Sequence, residues 1–138
     1  MTTKKYLIGA DSDANLGLLI LRVFIGAALL THGWGKMFGG LSDYAASVGQ
    51  MRLPFPQVLG FLSAFAESIA AILLAIGLLT RPAAALIVIN MAVAALAVHG
   101  GQGFAAQELA WLYFAPALFF LLKGAGKWSL DYQLSHRG

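Results

Sequence analysis

Six ionisable side chains stand in or beside long apolar runs of this chain: Arg22, His32, Lys36, Glu67, His99 and Glu108. Arg22 and Glu67 lie deepest. A charge at the centre of an apolar helix costs about 2.5–3.5 kcal/mol on insertion scales, so such a group turns toward protein rather than lipid. Arg22 is about seven residues, or ~10 Å, from one end of its run, and Glu67 is about twelve residues, or ~18 Å, from the same-side end of its own. A long arginine side chain can bridge that offset. The expectation is an internal Arg22–Glu67 contact, with Asn90 at a similar depth on the third run. Such a pair can exchange protons or hold a ligand, or it can serve only to fix helix register.

A second cluster gathers toward one rim. His32 and Lys36 are four apart and therefore neighbours on one helix face. His99 and Glu108 fall at the same level on later runs. This set suits proton handling, a small anion or a quinone carbonyl. Two histidines and a carboxylate are also a metal-ligand set, but histidines at span ends are more often interfacial polar groups, and no metal is expected. Trp34, Trp111, Tyr113 and Trp128 lie near the ends of the runs, where aromatic side chains anchor at the membrane surface. The residues assigned to catalysis are therefore Arg22, Glu67, His32 and Lys36. Those assigned to a cofactor wall are His99, Glu108, Trp34 and Asn90.

The elements that position these groups follow from composition and periodicity. Hydrophobic residues make up 59% of the 138 and charged residues 11%, with a mean hydropathy of +0.77. Ordinary soluble domains hold roughly 45–50% and about 25%. So little polar surface cannot cover a water-exposed fold, and a lipid-facing exterior resolves the deficit. The net charge of +3 is too small to imply a nucleic-acid partner. The absence of cysteine excludes disulfides and thiol redox chemistry carried by this chain alone.

Four apolar stretches, at about 16–37, 58–79, 82–99 and 104–122, approach the roughly 20 residues that cross a bilayer. Pro54, Pro56, Pro82, Gly100, Gly101, Gly103, Gly124 and Gly126 punctuate them, and Pro116 inside the last is expected to kink it. The prediction is an all-α fold: one domain over 1–138, an integral membrane bundle of four transmembrane helices. Small residues define inward stripes: Gly26 and Gly33 beside Arg22; Gly60, Ala64 and Ala71 beside Glu67; Ala83, Ala94 and Ala97 beside Asn90. Between the first two spans, Leu41, Tyr44, Ala45, Val48 and Met51 recur at helical spacing, which predicts a short amphipathic helix on the membrane surface or capping the bundle. Counting basic residues by loop places Lys4, Lys5, Arg81, Lys123, Lys127 and Arg137 on one side and Lys36 and Arg52 on the other, so both termini are expected in the cytoplasm. The first span is expected to act as the insertion signal, with no cleaved leader before it.

These residues in this order resemble the DoxX family of small bacterial membrane proteins. The matching segments are Arg22 with Gly26, His32-Gly33-Trp34-Gly35-Lys36, Pro54 and Pro56, Glu67, Gly77-Leu78-Leu79-Thr80-Arg81, His99 with Gly103-Phe104, and Gly124-Ala125-Gly126-Lys127-Trp128-Ser129-Leu130-Asp131. The resemblance spans roughly residues 14–132, with Ala125 replacing the proline usual at that place. It implies a four-helix bundle in the bacterial inner (cytoplasmic) membrane. It also implies kinship with the membrane subunit of a thiosulfate:quinone oxidoreductase and with complexes serving sulfur or oxidative-stress redox. Quinone is then the cofactor to consider, beside the lipid bilayer, a redox partner protein and further copies of the chain as partners. Arg81 and Asp131, both at matching positions, are expected to pair. Two other functions remain open: a non-catalytic membrane scaffold for a redox partner, and a small proton-coupled transporter using Glu67.

Overall fold

The computed structural model describes residues 14–137, and every regular element among them is helical. Lys4, Lys5 and the segment expected to precede the first span lie outside the described residues. Helix α1, Asn15–Trp34, continues through a π-helical turn at Gly35–Gly39; α2 is Leu41–Gln50; α3, Pro56–Glu67, and α4, Ile69–Ile76, form one broken span. Helix α5, Thr80–Val93, runs into a second π-helical turn at Ala94–Val98, and α6, Phe104–Lys123, is followed by the short α7, Leu130–Ser135. Four stretches are long and apolar enough to cross a membrane: Asn15–Gly39, Pro56–Ile76, Thr80–Val98 and Phe104–Lys123. These are the four predicted spans, within a few residues at each end.

Successive spans pack as neighbours, with α1 on α4 and α5 on α6 forming the broadest contacts, while α1 and α6 touch only lightly. Small residues set the close pairings. A Cβ on Gly26 would stand 2.6 Å from the Ala71 carbonyl oxygen and 2.7 Å from the Ala75 Cβ. Only glycine lets α1 and α4 approach that closely, which is how helices gain packing energy in lipid. The central layer is filled by Ala70, Ala71, Leu74, Ile87, Ala117 and Phe120, each fully buried. The amphipathic helix α2 is present and lies along α3, with Ala45 and Val48 buried. It caps the bundle. Helix α6 continues through Pro116 without interruption.

The break in the second span was not announced by proline or glycine. Ser68, directly after Glu67, has φ −118° and ψ −80°, and its hydroxyl donates to the Ala64 carbonyl at 2.5 Å. A side-chain hydroxyl that takes up a helical carbonyl is a recognised cause of bending. Gly33 packs at the same place: a Cβ there would collide with the Glu67 carbonyl. The second span therefore turns where Glu67 must project.

At the opposite end the bundle is tied together by Arg22, which is 1% exposed. Its guanidinium donates to three carbonyls: Ala75 at 3.1 Å, Ala125 at 2.6 Å and Trp128 at 2.8 Å. Gly77, at φ +72°, ends α4 in the left-handed conformation, and a Cβ there would meet Ser129 Cβ at 2.5 Å and Arg22 Cζ at 3.1 Å. The C-terminal segment thus folds back over the helix ends. Asp131 completes the closure by accepting from the backbone amides of Leu79 (2.8 Å) and Thr80 (2.9 Å), at the N-terminus of α5. The expected Arg81–Asp131 pair does not form. The tail is joined to the loop between spans two and three as anticipated, but through amides and the positive end of a helix rather than an arginine. Arg81 instead reaches the Leu122 carbonyl at 3.4 Å.

Candidate functional site

The ion pair at this end joins a partly exposed Lys36 to a buried Glu67. Lys36 Nζ lies 2.6 Å from Glu67 Oε2, and the other carboxylate oxygen accepts from Asn90 Nδ2 at 2.9 Å. The expected Arg22–Glu67 contact is therefore replaced. Arg22 sits fourteen residues before Lys36, or ~21 Å along the helix, and its donors are occupied by the carbonyls described above. The sequence argument failed on Lys36, which was read as a rim residue. The π-helical turn at Gly35–Gly39 carries it, and its long stem lets an amine at a span end reach down into the bundle. The placement of Asn90 at the depth of Glu67 agrees with expectation.

Three irregular backbone segments surround this pair: the π-helical turn bearing Lys36, the break at Ser68 and the π-helical turn at Ala94–Val98. In the last of these the His99 amide bonds the Ala94 carbonyl at 3.1 Å. Insertions of this type concentrate at functional sites because they aim side chains that a regular helix would turn elsewhere. Here they bring Lys36, Glu67 and His99 to one level.

Two cavities meet at that level. One, about 500 Å³, lies in the seam between α3 and α5 under the amphipathic helix α2. Its walls are largely aliphatic, including Leu59, Leu62, Leu86 and Ile89, and its polar end is formed by Lys36, Glu67, Asn90, Tyr44 and His99. The other, about 220 Å³, lies where α1 and α6 touch lightly, between His32, Lys36, Glu67, His99 and Tyr113. Lys36, Glu67, Ala94 and His99 belong to both. The ion pair is thus a partition between an apolar chamber and a smaller one of mixed lining.

Tyrosines complete the site. The Tyr44 hydroxyl bonds Ser63 Oγ at 2.8 Å, and Lys36 Nζ stands 4.8 Å from the centre of the Tyr44 ring. Its face thereby offers the ammonium a cation–π contact. Tyr113 is buried and meets His32 edge-on, ring centres 5.9 Å apart. Sequence reasoning had placed Tyr44 only on the apolar face of α2 and Tyr113 in the interfacial belt. Helical spacing could have flagged Tyr44, since it points the same way as Ala45 and Val48 toward α3.

Of the eight residues assigned from sequence, Glu67, His32, Lys36, His99 and Asn90 line these cavities, and three do not. Arg22 is at the far end. Glu108 is exposed at the start of α6 and lines neither cavity. Trp34 is more than half exposed, with its ring against Phe38 at 4.5 Å, as expected of an interfacial anchor. Both were placed by sequence level alone, which does not fix the direction a side chain leaves its helix. Among the described residues, no three His, Asp or Glu side chains are grouped as a metal site.

The chain is 31% identical over 121 residues to an uncharacterized protein of Haemophilus influenzae, covering 83% of this chain and 87% of that relative. No solved structure matches it. The DoxX family model matches residues 17–100, which carry α1 to α5, Lys36, Glu67, Asn90 and His99. With four apolar spans and that match, this membrane protein belongs to the DoxX family.

Proposed function

We propose that the protein is the membrane subunit of a quinone-linked oxidoreductase of the bacterial inner membrane, with both termini in the cytoplasm. The observation that carries this reading is the 500 Å³ apolar cavity ending on Lys36, Glu67 and Asn90. An apolar chamber with a few convergent polar groups is the usual form of a site for a lipid-soluble ligand. A quinone ring and tail suit the aliphatic walls, and its carbonyl oxygens suit the Lys36 ammonium and the Asn90 amide as donors. Leu62 and Ile89, 44% and 62% exposed, stand at the lipid-facing edge of the chamber, so a ligand can enter sideways from the bilayer.

Reduction of a quinone to a quinol consumes two electrons and two protons. In this reading a redox partner protein delivers the electrons. Lys36 and Glu67 hand protons across from the smaller cavity, where His32 and Tyr113 stand. The fully packed layer around Leu74, Ile87 and Phe120 separates the site from the Arg22 end, which supports a one-sided site over a through-membrane transport path.

The test is quinone extraction and titration on the purified protein in nanodiscs. Wild type should retain and bind a quinone, Glu67→Gln should bind it at least tenfold more weakly, and Leu62→Trp should exclude it. Failure of the wild type to bind, alone or with a co-purified partner, would leave the scaffold reading in its place.

A further inference from the structure

A third cavity, about 840 Å³, lies at the Arg22 end of the bundle. It is separate from the Lys36–Glu67 site and independent of what that site does. Three cations from three segments surround it: Arg81 in the first turn of α5, Lys123 at the end of α6, and Lys127 in the loop before α7. Asp131 also lines it, but both its carboxylate oxygens accept from the Leu79 and Thr80 amides. No ion pair to Arg81, Lys123 or Lys127 forms among the described residues, and Arg81 donates to the Leu122 carbonyl at 3.4 Å. Among the described residues the cavity therefore presents three cations against one carboxylate, a net positive wall.

Its position narrows the ligand. Lys123 and Arg81 mark the ends of two membrane spans, so the cavity sits at the level of lipid headgroups. Directly beside these two cations, Leu122 and Leu79 are 71% and 58% exposed, apolar surface that a hydrocarbon chain would cover. Basic pockets between transmembrane helices, with apolar flanks, bind anionic headgroups. We infer that this cavity binds the phosphate headgroup of an anionic phospholipid between Arg81, Lys123 and Lys127, with its acyl chains running over Leu79 and Leu122.

Native mass spectrometry of the protein released from nanodiscs tests this. The discs contain phosphatidylcholine with or without phosphatidylglycerol or cardiolipin. Wild type should carry the anionic lipid in preference to phosphatidylcholine. The triple variant Arg81→Gln/Lys123→Gln/Lys127→Gln should lose at least tenfold in affinity. Lys123→Gln and Lys127→Gln singly, at exposed positions that preserve folding, should each lose two- to fivefold. Arg137→Gln, outside the cavity, should bind as wild type does. Equal retention of both lipid classes, unchanged binding in the triple and single variants, or an equal loss in Arg137→Gln would overturn the assignment. Displacement of the lipid by millimolar inorganic phosphate would also overturn it, by making this a site for a soluble anion.

Discussion

Breaking the Lys36–Glu67 pair should reveal how much the buried charges contribute to holding the upper half of the bundle together. With the nitrogen 2.6 Å from the oxygen, the charge centres lie about 3.5 Å apart. Coulomb attraction at an effective dielectric near 20 then amounts to about 5 kcal/mol. The Lys36 side chain is 31% exposed, so solvent and headgroups screen it, and a coupling of about 2–3 kcal/mol is the reasoned magnitude. A double-mutant cycle with Lys36→Met and Glu67→Gln isolates it. Each single variant strands one partner: Glu67→Gln leaves the ammonium with the Tyr44 face, and Lys36→Met leaves the carboxyl with Asn90. The double variant should therefore be nearly as stable as either single one. The assay is equilibrium unfolding in mixed micelles with rising dodecyl sulfate, followed by tryptophan fluorescence. The Asn90–Glu67 bond provides an internal scale, since polar contacts between membrane helices average about 0.6 kcal/mol. Single-variant losses that simply add, giving a Lys36–Glu67 coupling no larger than the Asn90–Glu67 one, would refute the reasoning.

Arg22→Met should be far more damaging, by at least about 3–5 kcal/mol, because it strips the donors from the Ala75, Ala125 and Trp128 carbonyls together. Limited proteolysis should then cut the released segment around Trp128, whereas an undiminished protease resistance would show that other contacts hold the tail. Gly33→Ala should cost about 1–3 kcal/mol through overpacking against the Glu67 carbonyl, read as a lower melting temperature and, under the proposed function, as weaker quinone binding. Asp131 responds to pH. Burial opposes its ionisation, but the Thr80 and Leu79 amides and the Arg22 charge more than offset this and hold its carboxyl below the ordinary value. A depressed carboxyl contributes stability above the unfolded-state value near 3.9, and that contribution disappears as pH falls through the folded value. Wild-type melting temperature should thus drop below about pH 4, and Asp131→Asn should be less stable at neutral pH but flatter across that range.

Much of this architecture could be read from the chain because lipid imposes strong rules. Four spans, their glycine and proline boundaries and the amphipathic helix all follow from hydropathy and a 3.6-residue period. The depth of Asn90 relative to Glu67 followed from counting residues along helices. Choosing the partner of Glu67 required more than depth. Arg22 was the nearest cation by level, but a guanidinium has five donors and can be satisfied by carbonyls alone. The folded-back segment around Ala125 and Trp128 supplies those carbonyls, and nothing in the sequence announces that it returns there. Lys36 was available by reach but assigned to the rim, since regular helical geometry does not anticipate a π-helical turn. Glu108 and Trp34, also assigned to the cofactor wall, leave their helices away from both cavities, because level along a helix does not fix azimuth.

The two cationic centres use opposite chemistry, and that difference bears on which of them can act. Arg22 is buried, held by neutral carbonyls, and lines neither cavity at the Glu67 level. Its geometry is that of a clamp. Lys36 and Glu67 stand where the backbone departs from regularity in three successive spans, with space on both sides and ionisable neighbours in His32, His99 and Tyr113. A π-helical turn or a broken helix forfeits regular backbone hydrogen bonding, and lipid makes that loss expensive. Three such departures within the spans converging on a single ion pair are hard to account for by register alone, since the clamp at Arg22 already ties the helix ends together. That convergence inside the spans, rather than depth of burial, is the reason the proposal assigns ligand and proton chemistry to Lys36 and Glu67.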